Sequence, residues 1–375
     1  MKSVTGNLLV GILFICIIEL VYSFFAWWFF APTDIWIYEN AGQTMRFDAI
    51  RGYALTPVAS RFARITRGEV EYIGTLAGNA QGLPDRDNFT ADRPAGVKRR
   101  YAVFGDSFTA AQFIDNNWPD TTEDLLASAG EPVQLLNFSI HAGGLANWAS
   151  LVEGILARED YELDGLIFAV YGDDLERTFT IADGRNRNRI AFGRVSGWYP
   201  ASYPGSYAQA KDILDAQEIK ATYILSSAEF DAALAGSWQP QRYWEFKVYT
   251  ALLYQLRRLW RAVVPLLDPN FSAGQLRLID TINNYTTTRG LPVLVVYLPG
   301  QAEASGKTSQ HLSRARMFAQ QLGADFLDGR DCFAHLDSNR LRELWFTHDE
   351  HWNQAGSDLF AGFMADQLRT WPRAR

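Results

Sequence analysis

Residues 101–109 read Tyr-Ala-Val-Phe-Gly-Asp-Ser-Phe-Thr. The apolar run 101–104 has the length and the β-favouring composition of a buried strand. It ends on Gly105, Asp106 and Ser107, and helix-compatible sequence follows. This pattern predicts a strand, a turn and a helix, with the serine at the edge of the sheet where open α/β folds bind ligands. Free backbone N–H groups at such a helix N-terminus can face an oxyanion. The same residues also suit an ordinary turn and N-cap, so alone they do not decide the function.

Four further apolar runs resemble the first one and are separated by helical stretches: residues 133–138, 166–171, 291–297 and 324–327. Strands that alternate with helices indicate βαβ units and a parallel sheet. We therefore predict an α/β fold. The chemistry is expected at the carboxyl ends of the strands, where Ser107 lies.

A second informative stretch lies far downstream, where residues 346–356 read FTHDEHWNQAG, just before an apolar-periodic helix. A serine hydroxyl becomes a good nucleophile only when a positioned base takes its proton, and a carboxylate fixes the tautomer of that base. His351 and Asp349 can supply both groups from one short loop. Two alternatives stay open, namely a turn that caps the last helix and a metal site formed by His348 and His351 with Asp349 or Glu350. No matching histidine or cysteine cluster supports the metal, so we predict none.

Together these motifs resemble those of the SGNH hydrolases, also called the GDSL esterase and lipase superfamily. Four blocks stand in the order of that family: residues 105–109 (GDSFT), 136–144 (LNFSIHAGG), 171–175 (YGDDL) and 349–356 (DEHWNQAG). The resemblance implies a flavodoxin-like three-layer α/β/α sandwich. It also implies a catalytic triad of Ser107, Asp349 and His351. The oxyanion hole that it implies is formed by Ser107, Gly143 and Asp173. The last block looks most like that of members acting on bacterial surface polysaccharides, including relatives of alginate O-acetyltransferases.

Two departures from the family pattern bear on catalysis. The third block of the family uses an asparagine amide as an oxyanion donor, and this chain has Asp173. A carboxylate there accepts hydrogen bonds and could donate one only when protonated. Losing one oxyanion donor costs on the order of 10²–10³ in turnover in serine hydrolases. The second departure is milder, because Ala142 aligns with the family glycine, Gly143 follows it, and either residue has a backbone N–H.

The other dominant feature is the run of residues 8–30, LLVGILFICIIELVYSFFAWWFF, whose only charge is Glu19. It reaches the roughly 20 residues that a membrane span requires, and no small-residue cleavage site follows it. We predict a single-pass anchor in a bacterial inner membrane, with the catalytic domain in the periplasm. A charge near mid-span usually faces a partner or a polar cavity. Glu19 therefore contacts an integral-membrane partner or is protonated in lipid, and the sequence leaves both open.

The chain is expected to comprise an anchor (1–31), a connecting region (32–98) and an SGNH-like domain (99–375), in which a long insertion (about 176–265) is predicted to be a substrate-selecting lid. Arginine pairs with carboxylates or phosphates, and sugars pack on aromatic faces. The residues that these rules and the last block select for substrate binding are Arg185, Arg187, Trp198 and Trp352. The alternative is a solvated loop whose aromatic side chains pack into the core.

Composition narrows the function further. The 375-residue chain carries a net charge of −7, which gives no support to nucleic-acid binding. Its two cysteines, Cys16 and Cys332, cannot plausibly pair, and no Gly-rich phosphate loop indicates a cofactor. We therefore predict a serine esterase or O-acyltransferase that acts on acyl groups, with acetyl the expected one, of a bacterial cell-surface polysaccharide. The alternative is a catalytically weakened scaffold or polysaccharide-binding subunit of a membrane complex, which Asp173 favours.

Overall fold

The computed structural model describes residues 2–29, 34–40, 44–186, 189–216, 222–240 and 270–371, together with residues 249, 252, 255 and 256. Its strands are β1 (Asp34–Glu39), β2 (Met45–Asp48), β3 (Gly52–Leu55), β4 (Ser60–Thr66), β5 (Glu69–Leu76), β6 (Arg99–Phe104), β7 (Val133–Asn137), β8 (Gly165–Tyr171), β9 (Thr180–Asn186), β10 (Arg189–Arg194), β11 (Thr222–Leu225), β12 (Val293–Leu298) and β13 (Asp325–Asp328). Its α-helices are Lys2–Phe29, Ser107–Ala110, Trp118–Ser128, Leu145–Leu151, Tyr207–Asp215, Ser227–Leu234, Ala273–Arg289, Gln301–Ala304, Gln310–Leu322, Ser338–Arg342 and Gln354–Thr370.

A five-stranded parallel sheet forms the centre of the fold, in the order β13-β12-β8-β6-β7. Counted along the chain, this order is 2-1-3-4-5, the flavodoxin-like arrangement. The five strands are those predicted from the apolar runs, so the predicted α/β class and parallel sheet are confirmed. The strand order reverses between β6 and β8, and ligands bind at the carboxyl ends of strands beside such a reversal.

The apolar runs are continuous because helices cover both faces of this sheet. Along β6, Ala102 and Phe104 point into one core cluster, whereas Tyr101 and Val103 point into the other. The first cluster contains buried residues of the helices Leu145–Leu151, Ala273–Arg289 and Gln310–Leu322, and the second contains those of Trp118–Ser128 and Gln354–Thr370. The result is the expected three-layer sandwich.

A second sheet, which the sequence did not predict, has the order β11-β1-β4-β5. Strands β1, β4 and β5 come from the connecting region and pair antiparallel, and β11 comes from the insertion and pairs parallel with β1. The insertion also forms the β9–β10 hairpin. The insertion therefore completes a sheet with the connecting region, at least over the part of it that the structure describes. Most of residues 241–269 lie outside the described residues.

The chain begins with the 28-residue helix Lys2–Phe29. Its side chains are described for residues 13–26. A search of the described residues finds no helix with both the length and the apolar character to cross a membrane. The predicted span, residues 8–30, extends at both ends beyond residues 13–26, the part of the helix whose side chains are described.

Candidate active site

Ser107 lies where the sequence predicts it, directly after β6. Asp106 is the N-cap of the helix Ser107–Ala110, and its Oδ1 accepts the N–H of Phe108 at 2.9 Å. A side chain on Gly105 would not fit, because a Cβ there would lie 2.2 Å from Thr109 Oγ1. Ser107 is the first residue of the helix, so its N–H has no helical acceptor. The turn thus presents a serine hydroxyl and a free backbone donor at the same point.

His351 and Asp349 complete a triad with this serine. The Oγ of Ser107 lies 2.7 Å from His351 Nε2, and the Nδ1 of the same ring contacts Asp349 Oδ1. Asp349 Oδ1 also accepts the backbone N–H of His351 at 3.0 Å. The carboxylate places the ring proton on Nδ1, which leaves Nε2 to accept the serine proton. These are the three residues that the motifs predict.

The catalytic loop, residues 346–352, carries Asp349 and His351 and owes its shape to contacts at both of its ends. Trp345 and Trp352 form an antiparallel bridge, and the N–H of Phe346 donates to the carbonyl of His351 at 3.1 Å. Asn353 then caps the helix Gln354–Thr370 by accepting the N–H of Gly356 at 3.2 Å. The turn between these contacts holds Asp349 and His351 on one side, and the capping alternative is therefore a part of the site and not a substitute for it.

Aromatic rings enclose the base. The rings of Phe108 and Phe113 each lie 4.6 Å from the His351 imidazole, measured between centroids. The side chain of His351 is 19% exposed and that of Asp349 is 5% exposed. The base can therefore reach a substrate, whereas its carboxylate partner is shielded from water.

Two residues of the second sheet also contact Asp349. Its Oδ2 accepts a hydrogen bond from Tyr72 Oη at 3.1 Å and another from Arg64 Nη1. Burial by itself would raise the pKa of Asp349, but the hydrogen bond and charge of His351 and the charge of Arg64 hold it below its usual range. Asp349 is therefore ionised at neutral pH. No sequence pattern indicates a role for Arg64 or Tyr72, because Arg64 is 285 residues from Asp349 in the chain.

The oxyanion hole differs from the predicted one at Gly143. Its N–H already donates to the carbonyl of Ile140 at 2.8 Å, so it does not face the serine as predicted. The N–H of Ala142, one residue earlier, has no acceptor among the described residues. Ala142 has a φ of 58°, in the left-handed region that favours glycine. This backbone shape accounts for a glycine at that position in the family that the motifs resemble.

Asp173, the third predicted oxyanion residue, is ion-paired. Its Oδ1 accepts from Arg177 Nε at 2.8 Å. Arg177 Nη1 lies 2.6 Å from Asp174 Oδ1 and 3.0 Å from both Asp106 Oδ2 and the carbonyl oxygen of Gly143. Since a guanidinium donates to this oxygen, the structure does not support Asp173 as an oxyanion donor there. Arg177 instead ties together the turns that follow β6, β7 and β8.

A cleft of about 1040 Å³ opens beside the triad, at the carboxyl ends of β8 and β12. Its charged lining side chains are Asp173, Glu176, Glu303, Asp349, Glu350, Arg177, Arg194 and Arg314. Glu350 accepts from Tyr171 Oη at 3.1 Å, and Tyr171 stacks on Phe108 with centroids 3.8 Å apart. The cleft therefore presents both charged and apolar surface, and of the three triad residues Asp349 is the one that lines it.

Of the residues predicted to bind substrate, Arg185, Trp198 and Trp352 do not line this cleft. Arg185 pairs with Asp183 at 2.6 Å, and Trp198 packs against Gly274. Trp352 is 2% exposed and belongs to the core, where it meets Phe333, Trp345 and Phe360, so its predicted contact with substrate is wrong. Arg187 lies outside the described residues. Arg194 of the same polar stretch does line the cleft.

The metal alternative finds no support in the part of the chain that the structure describes. No group of three or more histidine, cysteine, aspartate or glutamate side chains there could hold an ion. Both ring nitrogens of His351 are engaged by Ser107 and Asp349, and the backbone N–H of His348 donates to Glu71. The loop is accordingly arranged for acid–base chemistry.

No family model and no curated protein matches the chain. Among solved structures, a lipase/acylhydrolase from Enterococcus faecalis is 11% identical with a TM-score of 0.36, over 74% of this chain and 100% of its own. A psychrotrophic esterase from Pseudoalteromonas sp. is 11% identical with a TM-score of 0.38, over the same shares. An esterase of the SGNH-hydrolase family is 12% identical with a TM-score of 0.33, over 75% of this chain and 100% of its own.

One of these solved structures is thus described as a member of the family that the motifs resemble. With TM-scores below 0.5, these structures carry no statement about activity or substrate.

Proposed function

We propose that this chain is a serine ester hydrolase or O-acyltransferase. The observation that carries the proposal is the line of contacts from Ser107 Oγ through His351 to Asp349. Ser107 Oγ attacks the ester carbonyl as its proton moves to His351 Nε2, and the N–H groups of Ser107 and Ala142 hold the oxyanion. The C–O bond to the alcohol then breaks, and His351 returns the proton to the leaving alkoxide. Water or a sugar hydroxyl takes the acyl group in a second, equivalent cycle.

The substrate that we propose is an acylated polysaccharide of a bacterial cell surface. The cleft of about 1040 Å³ exceeds what a small acetyl ester fills, and its lining is rich in carboxylates and arginines. These carboxylates and guanidinium groups can hydrogen-bond the hydroxyl groups of a glycan. Arg194 and Glu350 are among the residues that line the cleft. The acyl group that we expect is acetyl.

The proposal is tested by the release of acetate from acetylated polysaccharides and from a chromogenic acetate ester. We expect hydrolysis by the wild-type chain, and its loss in Ser107→Ala and in His351→Ala. His335→Ala, at an exposed histidine away from the site, is the matched control and should keep full activity. Acyl transfer to an added glycan in preference to water would identify a transferase. Hydrolysis that persists in Ser107→Ala would refute the proposed nucleophile.

A second candidate is a glycan-binding scaffold with weakened catalysis. The observation that favours it is the ion pair of Asp173 with Arg177, which leaves the expected third oxyanion donor absent at that position. This candidate predicts glycan binding that is equal in the wild-type chain and in Ser107→Ala, with no ester cleavage by either.

We further propose that the reaction takes place at a bacterial inner membrane, on its periplasmic side. The support is the apolar sequence of residues 8–30 alone. Glu19 has partners within the chain, since its carboxylate accepts from Ser23 Oγ and from the backbone N–H of Tyr249, each at 2.6 Å. A carboxylate has further acceptor positions, so a membrane partner of Glu19 can donate beside these two bonds. Fractionation of cells that express the full chain tests the location, because alkaline carbonate should not extract an anchored protein.

A further inference from the structure

Strands β4 and β5 of the second sheet hold the catalytic loop at several points. Arg64 and Tyr72 both donate to Asp349 Oδ2, the oxygen that His351 does not use. Glu71 accepts the backbone N–H of His348 in the same loop. The Tyr72 ring also packs on Phe346, with centroids 4.6 Å apart. One β-hairpin therefore contacts three groups of the loop, namely a backbone N–H, the carboxylate of Asp349 and the ring of Phe346.

The contacts to Asp349 are set up to be rigid. Arg64 is itself fixed by Asp34, with Nε to Oδ1 and Nη2 to Oδ2 both at 3.0 Å. Its guanidinium carbon also lies 5.5 Å from the centre of the Trp36 ring. The Arg64 side chain is 13% exposed and that of Asp349 is 5% exposed, so water does little to screen or to replace this pair. A buried carboxylate without such donors would be costly and free to rotate.

We propose that Arg64 and Tyr72 are positioning residues of the catalytic base, through which the second sheet sets the orientation of Asp349 and places a fixed positive charge beside the Asp349–His351 pair. The inference rests on the proposed function and deepens it. The geometry assigns Oδ1 of Asp349 to the imidazole and Oδ2 to the second sheet. The connecting region thus becomes part of the catalytic machinery although it touches no reacting atom.

The charge of Arg64 has a predictable effect on the base. A cation beside Asp349 opposes the arrival of a second positive charge on His351, because like charges repel through a poorly solvated region. Arg64 also pairs with Asp34 at 3.0 Å and lies 3.9 Å from Glu71. Removing its guanidinium leaves these carboxylates and Asp349 without that cation, and protonation of the Asp349–His351 pair becomes easier. The acid limb of the profile of kcat/KM against pH, which reports the base of the free enzyme, should move to higher pH. Loss of the Tyr72 hydroxyl removes a hydrogen bond and no charge, so its main effect is on orientation.

The test uses the full chain and the variants Arg64→Gln, Arg64→Lys and Tyr72→Phe. Arg61→Gln is the matched control, because Arg61 lies on the same strand and pairs with Glu39 and Asp231, away from Asp349. We expect a fall in kcat of about 10–100-fold for Arg64→Gln and Tyr72→Phe, since a misplacement of about 1 Å caused by a change far from the chemistry can cost about 100-fold, with KM unchanged. Arg64→Lys keeps the charge and loses the paired geometry, so its rate should fall while its acid limb stays in place. Arg61→Gln should match the wild type.

A second measurement does not need activity. Diethyl pyrocarbonate modifies only unprotonated imidazole, so its rate at His351, followed by peptide mass spectrometry over about pH 4–9, reports the protonation of the base. The profile of His351 should move to higher pH in Arg64→Gln, whereas that of exposed His335 should not change. A shift at His351 in a chain that cleaves no ester would refute the proposed function and keep the positioning role. Equal His351 profiles in the wild type and Arg64→Gln would overturn the role of Arg64 whatever the activity.

Discussion

The replacement Asp349→Asn changes one atom of the site and has a well-defined expected outcome. In the wild type, Oδ1 accepts from the imidazole, while Oδ2 accepts from Arg64 and Tyr72. The Arg64 guanidinium can only donate and carries a full charge, so we expect the oxygen of the introduced amide to face it, although the amide NH₂ then also meets the backbone N–H of His351. The amide NH₂ then points at Nδ1 of His351. The imidazole must answer with its other tautomer, which places the proton on Nε2, where the serine proton should go.

The cost of this wrong tautomer follows from serine proteases, in which the equivalent change lowers kcat about 10⁴-fold. We expect a loss of the same order here, equivalent to roughly 5.5 kcal/mol in the activation free energy. The assay is kcat for a chromogenic acetate ester, with the free energy of unfolding measured in parallel. Asp366→Asn, at an exposed carboxylate paired with Arg369, is the control and should keep its rate. A loss below about tenfold in a folded Asp349→Asn chain would refute the assigned tautomer.

Three other predictions concern the oxyanion hole, the nucleophile turn and a buried acid. Asp173→Asn keeps an acceptor for Arg177 and adds an amide donor, so esterase turnover should rise, on the order of tenfold or more if the amide reaches the oxyanion; a fall in turnover would show that the carboxylate itself is needed. Gly105→Ala places a Cβ 2.2 Å from Thr109 Oγ1, and overpacking of this kind should lower the free energy of unfolding by about 1–3 kcal/mol, as denaturant titration measures. Burial raises the pKa of Glu123 to about 8, so the folded state binds this proton more tightly than the unfolded state and loses stability as pH rises from the ordinary glutamate range to about 8. The melting temperature of Glu123→Gln should therefore fall less than that of the wild type as pH rises over that interval. An equal dependence of the two melting temperatures on pH would contradict the raised pKa.

The central sheet and the triad could be predicted because both are encoded locally. Each strand of the sheet is a continuous apolar run, since helices cover both of its faces. Ser107 follows such a run directly, and Asp349 and His351 lie two residues apart in one loop. Parallel strands bring their carboxyl ends to one edge, so the topology alone places Ser107 at the site.

What the sequence did not predict depends on contacts between distant segments or on backbone conformation. The sequence of β4 is compatible with a strand in any sheet. Nothing in that sequence indicates that the Arg64 side chain contacts Asp349. The Gly143 N–H closes a turn onto Ile140, and for this reason we propose the Ala142 N–H as the oxyanion donor. A motif that shows only residue types does not reveal which N–H a turn uses.

Trp352 shows a different limit. Its place in the last motif and its aromatic ring favoured a sugar contact, but an aromatic residue before a helix packs inward as readily as outward. Here Phe108, Phe333 and Phe360 surround it. Only the direction of the side chain, which the sequence does not give, separates the two outcomes.

The most direct test of the account is the reaction of the full chain with a fluorophosphonate, followed by intact-mass spectrometry and peptide mapping. Such reagents modify a serine only when a base activates it and an oxyanion hole stabilises the adduct. The account predicts a single adduct on Ser107 that is absent in Ser107→Ala, strongly slowed in His351→Ala and unchanged in His335→Ala. A folded wild-type chain that forms no adduct, or forms one on another serine, would contradict the proposed triad.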